Sequence, residues 1–165
     1  MAIQHIYSVK SVKYGTPTGV GTVPASGDLT ALPNTEKGSV VIEEVESTST
    51  PFYEDQSPYP IEDIEQELGG FSLVARFNDI QFATLAVFKG GTGTVSGFEP
   101  ATGWMTVKKA LVIETDSGHT FDFRNANCKA RITNLGGRDK IASWELKATP
   151  LVCADGSAPY KINKL

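Results

Sequence analysis

The stretch from Gly38 to Ala75 holds nine carboxylates, Glu43, Glu44, Glu46, Glu54, Asp55, Glu62, Asp63, Glu65 and Glu67, and no Lys or Arg. Side chains of this kind do two sorts of chemistry. A pair held roughly 5–10 Å apart performs acid–base work on a glycosidic bond. A loop of them binds Ca²⁺, a hard cation that takes oxygen ligands, but the loop needs alternating acidic positions and a glycine turn. That spacing is missing, and no acid–base partner geometry can be read for a hydrolytic pair. The run reads instead as a solvated acidic face. A sharper version gives the face a purpose: it repels nucleic acid or meets a basic surface on a neighbour. Glu43, Glu44, Glu46, Glu62, Asp63, Glu65 and Glu67 are the candidates for such contacts.

Little other chemistry converges. His5 and His119 stand in strand-like contexts without a neighbouring Cys or carboxylate motif, so a surface or cross-strand role suits each. Cys128 and Cys153 form no CxxC pair and have no His at ligand spacing. They read as two buried or half-buried thiols, and spacing gives no support for a disulfide. GxSxG, HExxH and Walker-type loops are absent. The run Gly90-Gly91-Thr92-Gly93-Thr94 follows a candidate helix. A phosphate cradle precedes its helix, so that backbone N–H groups point at the anion. No catalytic, cofactor-binding or metal-ligating residue is assigned, and the chain is expected not to be an enzyme.

The elements that carry these residues are mostly strands. Ile3 to Tyr14 alternates and reads as one long strand. Gly15 to Ala25 is an uncharged Gly/Thr/Pro/Val stretch with turn chemistry, and the loop around 15–27 is expected to be flexible. Ser39 to Ser47 is a Val/Ile-rich strand, Thr48 to Tyr53 its continuation or a partner, and Ile61 to Leu68 a weaker strand. Phe71 to Phe77 alternates cleanly, with Phe71, Leu73, Ala75 and Phe77 on one face. One short helix is expected over about 79–89, with Asn78-Asp79 as its cap and Gly90-Gly91 as its stop. Thr92 to Gly103 reads as a second flexible loop. Met105 to Thr115 and His119 to Phe123 form a hairpin about Asp116-Ser117-Gly118. Arg124 to Asn134 and Lys140 to Leu151 are further strands around a turn at 136–139.

Composition agrees with this reading. A chain of 165 residues makes one domain, 1–165, with a real core; 40% is hydrophobic and 21% charged. Sixteen Gly and nine Pro suit many turns. The net charge of −4 gives no overall basic footprint for nucleic acid. Charge is uneven, however: residues 101–165 carry ten Lys/Arg against six Asp/Glu. Acidic and basic regions in one chain suit head-to-tail association of identical subunits. The N-terminal segment lacks the apolar run of a signal peptide, and no stretch approaches the ~20 apolar residues of a membrane span. A soluble chain made in a cytoplasm, with no membrane contact, is expected.

Several segments carry a resemblance: FSLVARFNDIQFATLAVFKGG, then SGHTFDFRNANCKARI, KIASWELKATPL and DGSAPYKI. Over roughly residues 36–162 the order resembles the major tail-tube proteins of long-tailed bacteriophages and, more loosely, the tube subunits of contractile injection systems. The resemblance implies an antiparallel β-sandwich or barrel with one flanking helix. It also implies subunits that stack as hexameric rings, meet other tail proteins in the virion, are made in the cytoplasm of a bacterial host and let DNA pass down the lumen. Loops or terminal segments would bridge rings, and edge strands would join neighbours. Other readings share the composition. One is a head–tail completion or decoration subunit. Another is a carbohydrate-binding β-sandwich presenting Phe52, Tyr53, Tyr59, Trp104 or Trp144, although Trp144 alternates with core-like residues.

Overall fold

The computed structural model describes residues 8–44, 48–53, 60–67, 70–103, 105–135 and 141–164. Its strands are β1 (Val9–Gly15), β2 (Thr30–Ala31), β3 (Val41–Glu44), β4 (Thr48–Tyr53), β5 (Pro60–Glu67), β6 (Phe71–Phe77), β7 (Gly91–Thr94), β8 (Gly97–Pro100), β9 (Val107–Thr115), β10 (His119–Asn134), β11 (Ser143–Pro150) and β12 (Tyr160–Lys164). One helix, α1 (Phe82–Lys89), follows β6. The fold is mostly β, antiparallel, with one short helix, as the alternation and turn chemistry imply.

The main sheet runs β2-β1-β9-β10-β11-β6-β3, with β12 beside β10. It curls, and a short piece of chain shows by how much. The Leu32 N–H donates to the Val12 carbonyl on β1, and the Glu36 N–H donates to the Arg76 carbonyl on β6. The four steps from 32 to 36 span about 14 Å at full extension. Four strand spacings, from β1 to β6 in a flat sheet, come to about 19 Å. The segment from Thr30 to Glu44 pairs with β1 at its start and with β6 at its end, so it draws the sheet toward a barrel.

The inner face is packed from every large strand: Val12, Leu111, Ile113, Phe123, Cys128, Trp144, Leu146, Leu73 and Phe77 are all buried. Leu85 and Phe88 of α1 complete it. Trp144 is the hub. It is fully buried, stacks on Phe77 with ring centroids 4.6 Å apart, and donates its indole N–H to the Asp79 carbonyl at 3.0 Å. Phe88 lies between Trp144 (6.1 Å) and Tyr14 of β1 (5.0 Å), tying the helix to both sides of the sheet.

Several boundaries differ from those the sequence implies. The helix begins at Phe82, not at 79. Its N-cap is Gln81, and neither Asn78 nor Asp79 caps it. The Asp79 carbonyl is taken by Trp144, which holds residues 79–81 out of the helix. The stop at Gly90 is as expected, with φ +76° and its N–H on the Ala86 carbonyl. Residues 92–103 do not form a simple loop: β7 and β8 make a small hairpin. Glycine permits it, because a Cβ on Gly93 would stand 2.1 Å from the Phe82 carbonyl oxygen. His119–Phe123 and Arg124–Asn134 are one sixteen-residue strand, β10. Strand β1 starts at Val9, just after Ser8 with its φ of +55°; the part of the expected strand before Ser8 falls in residues 1–7, which lie outside the described set. The loop after β1 is tied at one point, where the Gly21 N–H donates to Asp155.

Replacing Trp144 with Ala should cost about 3–5 kcal/mol of stability, because a large fully buried ring leaves a cavity. Urea unfolding should show this as a lower midpoint. Ile141→Ala, at a side chain 71% exposed, should change stability by less than about 0.5 kcal/mol.

Candidate functional site

A bulge in β10 divides the outer surface of the sheet into two electrostatically different halves. Phe123 pairs with Leu111 and Ala126 with Lys109, so Arg124 and Asn125 together stand opposite the single Ala110. The extra residue bends the strand. Before the bulge β10 lies between β9 and β12; after it, between β9 and β11. Arg124 and Asn125 hold the chain between β11 and β12 in place, through the Pro159, Ala158 and Val152 carbonyls and the Leu151 N–H.

The first half is balanced. One cross-strand row reads Lys13, Val112, Asp122, Lys161, and the next Ser11, Glu114, Thr120, Asn163. Lys13 pairs with Glu114, and Ser11 donates to the same carboxylate at 3.0 Å. The Lys13 hydrogen bond, helped by Ser11 and opposed by partial burial, holds the Glu114 carboxyl below its ordinary value. Asp122 shifts the other way: burial pushes it up, against contacts with Thr120, Lys161, Arg124 and Asn163.

The second half is basic. Val74 of β6, Lys147 of β11 and Lys129 of β10 form one row; Arg76, Glu145 and Arg131 form the next; Lys108 of β9 stands opposite Asn127. Glu145 is mostly buried and serves both guanidinium groups, at 2.7 Å from Arg131 Nη2 and 3.2 Å from Arg76 Nε. That leaves Lys108, Lys129 and Lys147 exposed, with no ion pair among the described residues. Lys129 and Lys147 are direct cross-strand partners. Like charges directly opposite destabilise a sheet. Val74, Lys129, Ala130, Arg131, Glu145 and Lys147 line a shallow depression. This face was missed in the sequence. The excess of cations after residue 100 was the available signal, but which of them share a face depends on the bulge.

The predicted acidic residues divide by position. Glu43 and Glu44 are exposed at the end of β3, opposite Ser72 and Phe71. Glu46 lies outside the described residues. Glu62, Asp63, Glu65 and Glu67 lie on β5, opposite Phe52, Pro51, Ser49 and Thr48 of β4, in a ladder separate from the main sheet. Among the described residues no group of three His, Cys, Asp or Glu gathers as a metal site. His119 is buried rather than on the surface, because it opens β10 opposite Lys164 and its Nδ1 lies 3.2 Å from Ser117 Oγ. Cys128 and Cys153 are free and buried, and burial pushes the Cys128 thiol up to about 12. Trp144 is fully buried and so unavailable to a glycan. Tyr59 and Trp104 lie outside the described residues, as do the side chains of Phe52 and Tyr53. No described helix is long and apolar enough to cross a membrane.

No protein-family model matches this sequence, and no curated protein matches it. A likeness appears in three dimensions. A chain in the cryo-EM structure of the sixfold-symmetrised anti-feeding prophage baseplate shares the fold, with a TM-score of 0.53. The two are 8% identical, and the match covers 99% of this chain and 98% of that one.

The Lys13–Glu114 pair makes a pH-dependent contribution. A carboxyl held low in the folded state stabilises it fully above the unfolded value and loses that contribution as pH falls through the folded value. Lys13→Met should therefore lose about 0.5–1 kcal/mol at neutral pH. Its stability should converge on that of the parent chain as pH falls through the lowered folded-state value of Glu114, in denaturant titrations across the acid range.

Proposed function

We propose that this chain is a structural subunit of a phage tail or related injection apparatus. In this reading it assembles with its own copies into stacked hexameric rings and, with other tail proteins, forms a tube through which DNA passes. The observation that carries the reading is the end-to-end likeness of fold to a chain in a sixfold-symmetrised baseplate. Shared fold alone does not transmit function, so the surface chemistry has to agree, and it does. The chain carries an acidic excess of −4. A lumen of that sign lets a phosphate backbone pass without gripping it. The acidic run from Glu43 to Glu67 serves as lumen wall or ring contact. The free edges of the sheet are places where a neighbour's strand can add.

A second reading is favoured by where the similar chain occurs, in a baseplate: a subunit of the baseplate itself, forming one ring at the end of a tube. Both readings make the chain a non-enzymatic part of a particle. Size-exclusion chromatography followed by negative-stain imaging separates them. Stacked rings or tubes are expected for the first, and single rings that do not stack for the second. A protein that remains a monomer at every concentration, with or without tail components, contradicts both.

A further inference from the structure

We propose that the basic half of the outer sheet face, centred on Lys129 and Lys147, is a docking surface for the acidic β4–β5 hairpin of a second copy of this chain. The proposal rests on the ring-forming reading in one respect only, that copies of the chain meet, and it names the contact.

The face is a surplus of positive charge built by register. Lys108, Lys129, Arg131, Lys147 and Arg76 share it with two described anions, Glu145 at its centre and Glu43 at the β3 edge beside Ser72. Glu145 is consumed by the two arginines, so the three lysines stay exposed and unpaired among the described residues. The Lys129–Lys147 juxtaposition costs the isolated subunit stability. An anionic partner laid across the row converts that repulsion into attraction. The other half of the same face, around Lys13, Glu114, Asp122 and Lys161, is already neutralised within the chain. The surplus is therefore local to β10–β11.

The matching surface is in the same sequence. Residues 43–67 carry nine carboxylates and no base. Four of them, Glu62, Asp63, Glu65 and Glu67, lie on β5, in a two-stranded ladder with β4 that is separate from the main sheet among the described residues. The hairpin leaves the sheet at Glu44 and returns at Phe71, beside the outermost strand pair, β3 and β6. The chain's own described carboxylates do not reach Lys129 or Lys147. Face and hairpin are different patches, so the contact is head-to-tail, and such contacts close into rings or propagate as filaments. Charge complementarity of this kind fixes register and speeds encounter.

The test is a charge swap in the full-length chain. One variant carries Lys129→Glu and Lys147→Glu, the other Glu62→Lys and Glu65→Lys. Circular dichroism and thermal midpoints confirm that each folds. Sedimentation velocity then reads self-association at low and high NaCl. The parent chain should associate about tenfold more weakly when NaCl rises from about 50 to about 500 mM, because exposed pairs are screened. Each variant alone should associate at least about tenfold more weakly than the parent at low salt. An equimolar mixture of the two should recover association, since the reversed face of one then meets the reversed hairpin of the other. A hairpin variant that does not fold is replaced by Glu62→Gln with Glu65→Gln, which should weaken association without permitting rescue.

Association that ignores both reversals overturns the contact; if rings still form, the assembly reading survives it. A parent chain that stays monomeric at low salt up to millimolar concentration also overturns it. A labelled single-stranded oligonucleotide provides the last arm. If the parent binds it, the lysine variant does not, and association is unchanged, the face is a nucleic-acid surface and the proposal fails.

Discussion

The structure depends on one strand having more neighbours than a regular ladder allows. β10 is sixteen residues long and is flanked on one side by β9 along most of its length. On the other side it is shared between β12 and β11. A straight strand would keep one register throughout, and a one-residue slip moves every side chain to the opposite face. The doubled residues Arg124 and Asn125 absorb that slip against β9. Phe123 and Ala126 therefore both point into the core, although three positions separate them. The same two residues bind the chain that links β11 to β12, so the bend and the loop fix each other.

Packing and surface charge both follow from that bend. Inside, it lets Trp144, Phe77 and Phe88 meet under a sheet drawn round by residues 30–44. Outside, it brings Lys129 opposite Lys147 and Arg131 opposite Glu145. The first half of the strand carries its charges in balance and the second half does not. A protein of net charge −4 thus presents a concentrated basic face and, on a separate hairpin, a concentrated acidic one. Among the described ion pairs none takes up Lys108, Lys129 or Lys147. This is the physical content of the assembly reading, and it stands beside a fold shared with a baseplate chain at only 8% identity.

Much of the fold was legible because alternation is a local property. Phe71–Phe77 buries Leu73, Ala75 and Phe77, as its spacing implies, and the stop at Gly90 follows from its left-handed backbone. The failures share a cause: tertiary contacts that no local pattern carries. A helix start at 82 depends on Trp144 reaching back to Asp79. The β7–β8 hairpin depends on Gly93 pressed against the α1 backbone and Gly91 against the backbone of residues 99–101. The unity of β10 was hidden by its bulge, which looks in sequence like a break between two strands, and β12 was not anticipated as a strand at all. The acidic residues were legible as a run. Their basic counterpart was legible only as an excess, since residues 108, 129 and 147 become neighbours through pairing across three strands.

The most direct measurement is a cryo-EM reconstruction of the assembly formed by the purified protein. The account predicts a closed ring of copies in which the β10–β11 face of each subunit is covered by residues 48–67 of the next. A ring in which Lys129 and Lys147 face open solvent, or lie against nucleic acid while the acidic hairpin touches no neighbour, would contradict it.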